Sequence, residues 1–236
     1  MKVGLTSIFF AAVFLSAPAY AQVFIPPFNF TPQMYNGVYD HIRHRQKAES
    51  ASSVDKLSTK TSDVFRYTRS AANSGQIIEN YLNKIQPANP LLASQIRYVM
   101  TRQDIIAQTS KAIAPAGLQA DNVADVFAMW WISAWRAANS DTAGAASGKK
   151  LRAVRAQVAQ ILLSSGALLP LSNIQKQEMA ETMIIQTFVT GFSESQAKGD
   201  SAKLANIRQE VMQMHLTAGL DLTSIKLTEN GFVSAR

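Results

Sequence analysis

The chain has 236 residues, of which 47% are hydrophobic, and it carries a formal net charge of +7 with no cysteine. The lack of cysteine excludes disulfides, thiol catalysis, zinc sites built on thiolates and lipid attachment to an N-terminal cysteine. The positive charge favours contact with anionic surfaces such as lipid headgroups or cell-wall polymers, although a modest charge also serves solubility alone.

Residues 1–21 have the pattern of a signal peptide. Lys2 supplies the positive start, residues 8–15 form a short uncharged apolar run, and residues 19–21 (Ala-Tyr-Ala) place small side chains where a signal peptidase reads. Cleavage is expected before Gln22. The sequence thus predicts an exported protein, periplasmic or secreted, for which nucleic acid is not an expected partner. No later stretch has the roughly 20 apolar residues of a membrane span, so we expect no transmembrane segment after cleavage.

Residues 22–64 are predicted to be an extended or flexible N-terminal lead. Residues 22–32 are rich in Pro and Phe, and proline disfavours helix at its own position and at the preceding one. A short helix is expected at residues 33–45. Residues 46–63 are almost wholly polar and cannot bury enough apolar surface to offset the entropy of ordering.

A helical domain is predicted over residues 65–236, where apolar residues recur at spacings of three and four. Proline and glycine separate the segments that follow this period, which are 77–85, 91–100, 105–113, 123–135, 151–162, 180–192 and 204–218. We therefore predict an all-α fold: a single helical bundle of about six or seven helices with a flexible N-terminal lead and a short hairpin-like C-terminal tail.

Local signals refine three of these elements. The helix over residues 123–135 is apolar around so much of its circumference that it is predicted to lie near the centre of the bundle, with Asp121 as its N-cap. Ser172 and Gln175 match a reciprocal capping box. Gly199 is expected to end the long helix that follows, and Asp200 to cap the next.

The tail changes from a helical to an alternating pattern. Ile225 and Leu227 alternate with polar residues, and Asn230-Gly231 is a strong tight-turn pair. The sequence predicts a small hairpin that packs on the bundle.

Two histidine-containing segments carry residue types that can bind metals. Asp40, His41 and His44 share one helix face and could bind zinc or copper. However, a further ligand at recognisable spacing is missing, and the neighbouring arginines would repel a cation. A solvated helix is the better interpretation, and no metal site is predicted. Met212, Met214 and His215 include soft-metal ligands. His215 and Met214 fall on the apolar stripe of their helix, which predicts a core histidine.

Two further clusters are candidate binding residues. Trp130, Trp131 and Trp135 can stack on sugar rings, although their helical spacing among apolar neighbours favours burial, with one ring able to reach a groove. Lys149, Lys150, Arg152 and Arg155 gather at a helix start, where cations oppose the helix dipole. An anionic lipid or phosphate polymer would stabilise such a cluster, and a solvated surface is the alternative.

Catalytic and cofactor motifs are not found. There is no G-x-S-x-G, P-loop or dinucleotide-binding glycine pattern, and no cofactor is predicted. The acidic pairs available for hydrolysis, Asp121 with Asp125 and Glu178 with Glu181, lie at ordinary helix-surface spacings. The catalytic residues of any enzymatic activity stay unassigned.

The segments DNVADVFAMWWISAW (residues 121–135) and GLDLTSIKLTENGF (residues 219–232) resemble an uncharacterised family of exported bacterial all-helical proteins. The resemblance implies the same order of parts: signal peptide, variable lead, helical body with a tryptophan-bearing helix, and a closing segment near a Gly-Phe pair. It covers about residues 65–233, with residues 22–64 individual to this chain. The family is a domain of unknown function, so the resemblance implies no catalytic residues.

The first functional hypothesis is an exported bacterial envelope protein that acts as a non-enzymatic binding or assembly module. Its expected partner is another envelope protein or an anionic envelope surface. The alternative is a hydrolase acting on a cell-envelope polymer or lipid, with acidic residues near the tryptophan helix as its catalytic groups. A pocket that brings Asp125 or Glu178 beside an aromatic wall would favour this alternative.

Overall fold

A computed structural model describes residues 63–142, 145–217 and 219–235. The predicted signal peptide and almost all of the N-terminal lead lie outside these residues. Within them the chain forms seven α-helices: α1 (Ala71–Ile85), α2 (Pro90–Met100), α3 (Ile105–Ile113), α4 (Val123–Asn139), α5 (Gly148–Ser165), α6 (Asn173–Gln196) and α7 (Ser201–Thr217). Two strands, β1 (Ile225–Thr228) and β2 (Gly231–Ser234), follow the helices. The all-α class, the helix number and the C-terminal hairpin agree with the sequence prediction.

Capping side chains define where these helices begin. Ser172 and Gln175 form the predicted capping box at α6, and Asp200 accepts a hydrogen bond from the Lys203 N–H at the start of α7. At α4, however, Asn122 and not Asp121 is the N-cap, because the Asn122 side chain accepts from the backbone N–H groups of the first turn. Asp121 instead forms an ion pair with Arg66 at 3.0 Å.

Helix α4 lies at the centre of the bundle, as the sequence predicted. Thirteen of its 17 residues are buried, and it packs against α5, α6, α7 and the turn that leads into the hairpin. Burial on all sides explains why its apolar face is so wide. Among the described residues, no helix combines the length and apolarity needed to cross a membrane.

The hairpin closes the fold with antiparallel pairing of Ile225 with Ser234 and of Thr228 with Gly231. This register places Glu229 and Asn230 in the turn, one residue earlier than the predicted Asn230-Gly231 pair. Gly231 has φ +96° while Asn230 does not have positive φ, so the turn differs from the type I′ turn, which needs positive φ at both central residues. Glycine is required instead at the first position of β2.

Candidate functional site

The three tryptophans of α4 form part of the core. Trp130 and Trp131 are 2% and 0% exposed, and their rings pack against His215 and Phe232 at centroid distances of 4.9 and 4.6 Å. Trp135 is half-buried, and its Nε1 donates a hydrogen bond to the Ile225 carbonyl at 2.9 Å. Sugar stacking needs a ring face open to solvent, which Trp130 and Trp131 lack in this arrangement.

His215 is a core histidine, as its spacing predicted. The side chain is fully buried, and Nδ1 lies 2.9 Å from the Val211 carbonyl, which assigns the ring proton to Nδ1 because only a protonated nitrogen can donate there. Nε2 is buried with no hydrogen-bond partner among the described residues. Burial lowers the pKa of His215 to about 4, so the ring is neutral at physiological pH.

Most of the basic cluster at the start of α5 has partners within the protein. Arg155 Nε lies 3.0 Å from Asp125 Oδ1, and Arg152 donates to the Ala116 carbonyl at 3.2 Å. Lys150 lies 4.0 Å from Glu229 in the hairpin turn, while Lys149 is exposed. These partners lie far from the start of α5 in the sequence, so the local pattern of charged residues could not predict them.

The acidic residues considered for hydrolysis do not meet in one pocket. Asp125 uses one carboxylate oxygen for Arg155 and the other to accept from the Gln119 N–H at 2.8 Å, so it ties α4 to α5 and to the preceding turn. Glu178 is exposed on α6. The described residues hold no group of three or more His, Cys, Asp or Glu able to bind a metal, and Asp40, His41 and His44 lie outside them.

A groove of about 330 Å³ lies between α1 and the connection from α2 to α3, and we call it the α1–α3 groove. Its polar lining comes from three separate segments: Arg69, Ser74, Thr101, Arg102, Gln103 and Asp104. Its apolar lining is Ile78, Met100, Ile105 and Ile106, with Ala71 and Gly75 on the α1 side. Sequence reasoning missed this site because nothing in the sequence indicates that one face of α1 lies beside the consecutive residues 100–106.

Two arginines define the electrostatics of the groove. Arg69 holds both oxygens of Asp104, at 2.9 and 3.1 Å, and these bonds hold the pKa of the Asp104 carboxyl below its usual range. Arg102 lies with its guanidinium 3.6 Å above the Tyr98 ring and donates one hydrogen bond to the Tyr98 carbonyl at 3.2 Å. Asp104 therefore has its ionic partner, whereas Arg102 forms no ion pair among the described residues.

A buried polar network supports the floor of the groove. The fully buried Glu181 of α6 accepts hydrogen bonds from Ser74 at 2.9 Å and from Gln177 at 3.0 Å, and its Oε1 lies 3.4 Å from Arg69 Nε. Burial raises the pKa of Glu181 above its ordinary value despite these partners. Glu181 is the one member of the predicted acidic pairs that contacts the groove lining.

Ser74 is not arranged as a nucleophile. Its hydroxyl oxygen accepts from Arg69 Nε at 3.1 Å and from Gln177 Nε2 at 3.2 Å, while its hydrogen is directed to Glu181 or to the Ser70 carbonyl. Both lone pairs are thus engaged, and a hydroxyl has only two. The network holds α1 against α6 and fixes the shape of the groove.

These features define an all-α bundle, closed by a C-terminal hairpin and carrying a mixed polar and apolar groove on one side. The chain belongs to the family of unknown function DUF6683, whose model matches residues 37–235. The match begins at residue 37, so the family extends into the lead that was expected to be individual to this chain. Comparison with curated proteins and with solved structures finds no match.

Proposed function

We propose that this protein is a non-enzymatic binding protein of the bacterial cell envelope, and that its ligand occupies the α1–α3 groove. The observation that carries the proposal is the groove itself, which is lined by Arg69, α1 and the α2–α3 connection and backed by the hydrogen bonds of Glu181 with Ser74 and Gln177. Its volume falls within the range of about 300–1,000 Å³ typical of small-molecule sites. The signal-peptide pattern of residues 1–21 supports the envelope location.

Binding, not catalysis, is favoured by the state of the groove's hydrogen-bonding groups. The hydroxyl of Ser74 and the carboxylate of Asp104 already have their partners within the protein. A hydrolase needs a nucleophile or a base with a free lone pair within reach of the substrate. The hydrolase alternative, based on Asp125 or Glu178, has neither residue in this groove.

Gly75 offers a direct test because it lines the groove, and a Cβ built on it meets no atom within 4 Å. Gly75→Leu would fill the groove while adding helix propensity of about 0.8 kcal/mol. Gly191→Leu, at an exposed and equally open helical position on α6, is the matched control. Both variants should fold as well as the wild type.

The measurement is a thermal-shift screen of wild type and both variants against fatty acids, phospholipid micelles, cell-wall peptides and amino sugars. We expect at least one compound class to stabilise the wild type and Gly191→Leu but not Gly75→Leu. A ligand at 100 times its dissociation constant adds about 2.7 kcal/mol to the free energy of unfolding. A compound that is turned over by the protein, or binding that survives Gly75→Leu, would overturn the proposal.

Envelope location is tested separately by fractionating bacteria that express the full chain. We expect the protein outside the cytoplasm, with Gln22 as its first residue by mass spectrometry. Retention in the cytoplasm with the first 21 residues intact would contradict the envelope assignment, whatever the outcome of the ligand screen.

A further inference from the structure

We infer that the α1–α3 groove recognises a small amphiphile that carries a carboxylate or a phosphate, with Arg102 contacting the anionic group. This inference rests on the proposed binding function and names the ligand class. The two anions share one chemistry, since a guanidinium offers paired N–H donors that fit the oxygens of either group.

Arg102 is prepared for this contact before any ligand arrives. Its guanidinium has five N–H donors, of which one bonds to the Tyr98 carbonyl. Stacking at 3.6 Å on the Tyr98 ring, together with that bond, fixes the plane of the group. The remaining donors therefore meet an anion with little further loss of side-chain entropy.

The charge balance of the groove lining also favours an anion. Asp104 is the acidic residue of the lining, and Arg69 takes both of its carboxylate oxygens. Glu181 faces Arg69 from α6 but does not belong to the lining. The charge left without an ionic partner within the lining is that of Arg102.

The apolar wall calls for more than a bare anion. The open apolar surface of the groove lies on the α1 side, at Ala71, Gly75 and Ile78, because Met100, Ile105 and Ile106 are buried within the protein. An inorganic ion would leave this surface in contact with water, whereas a short alkyl chain attached to the anion would cover it. The geometry therefore favours an anionic head joined to an apolar body.

The test uses probes that differ in one feature at a time. Calorimetric titrations at low salt compare octanoate, octyl phosphate, uncharged octanamide, acetate and inorganic phosphate. We expect octanoate or octyl phosphate to bind at least about tenfold more tightly than octanamide, because a charge-assisted pair is worth more than a neutral one. Preference between the two octyl anions tells a carboxylate ligand from a phosphate ligand, and the short anions should bind weakly.

Variants assign the anion contact. Arg102→Gln should abolish the preference for the octyl anions over octanamide. Arg97→Gln is the matched control, because Arg97 lies five positions earlier, on α2, and pairs with Glu79 at 3.0 Å outside the groove. That variant should retain the preference.

Several outcomes would overturn the inference. If octanamide binds as well as octanoate and Gly75→Leu blocks both, anion recognition fails while the binding function stands. If Arg97→Gln lowers affinity as much as Arg102→Gln, the effect is general surface charge and Arg102 is not the contact. If no octyl probe binds but a compound of another class binds in a Gly75-dependent manner, the ligand class is wrong and the proposed function survives.

Discussion

The side chain of Gln157 hydrogen-bonds both backbone groups of Phe232. Its Nε2 donates to the Phe232 carbonyl at 2.7 Å, and the Phe232 N–H donates to its Oε1 at 2.8 Å. Phe232 pairs with Leu227 across the hairpin, and its own backbone groups face the outer edge of β2. The Gln157 amide thus makes the two hydrogen bonds that a neighbouring strand would make to Phe232. It covers the outer edge of β2, which would otherwise have unpaired backbone groups.

Gln157→Leu should lower the free energy of unfolding by about 2–4 kcal/mol, because it leaves two buried backbone groups without partners. Gln160→Leu, at an exposed position on the same helix, should change it little. Urea titration followed by circular dichroism measures both. Equal stability of the two variants would show that the hairpin does not depend on this amide.

Gly231→Ala should destabilise the protein by at least about 2 kcal/mol. Gly231 has φ +96°, and a Cβ there would overlap Gln157 Oε1, so the variant adds backbone strain and displaces the bridging amide. Gly191→Ala, with open space around it in α6, should instead stabilise by about 0.5–1 kcal/mol. Thermal unfolding should move the two midpoints in opposite directions, and a fall for both would contradict the steric account.

These contacts mark the limit of what the sequence predicted. Helical periodicity predicted α1 to α7 and the central position of α4, since each depends on residues a few positions apart. The Gln157–Phe232 bonds join residues 75 positions apart, and Ser74 and Glu181 are 107 apart. Single polar residues carry no period, so neither the hairpin anchor nor the α1–α3 groove left a local signal. The one-residue error at the hairpin turn arose because Asn-Gly suits several turn types.

The buried His215 should make stability depend on pH in one direction. Burial lowers the pKa of His215 from 6.5 to about 4. Between these two pH values the histidine is protonated in the unfolded chain and neutral in the folded protein. Stability from this group is complete above pH 6.5 and falls by about 3 kcal/mol as the pH approaches 4. His215→Phe, which retains an aromatic ring against Trp130, should lose this part of the pH dependence. A wild-type-like pH profile in the variant would assign the effect to other groups.

Glu181 should change the pH dependence of stability in the direction opposite to that of His215. Burial raises its pKa above the ordinary 4.5, so the folded state favours the protonated form and this group's contribution falls as the pH rises from 4.5 upward. Glu181→Gln should keep the fold, be at least as stable as the wild type at neutral pH, and flatten the profile in that range. Denaturant titrations at pH 4.5 and 7 measure the change.

Glu181→Ala provides the comparison for that variant. It removes the acceptor of Ser74 and Gln177 and leaves a cavity, so it should cost about 2–3 kcal/mol. If the Gln variant were as unstable as the Ala variant, the ionised carboxylate itself would be the stabilising form, against the direction of its pKa.

The hydrogen bond between Trp135 and Ile225 can form only after the C-terminal hairpin has been synthesised. The two residues are 90 positions apart, so at 5–20 residues per second the hairpin leaves the ribosome roughly 5–18 s after the tryptophan helix. During that interval the face of α4 that receives Phe232 has no cover from its own chain. A chain cut short before residue 225 lacks this cover, so it should be less stable than the full chain and more prone to aggregate.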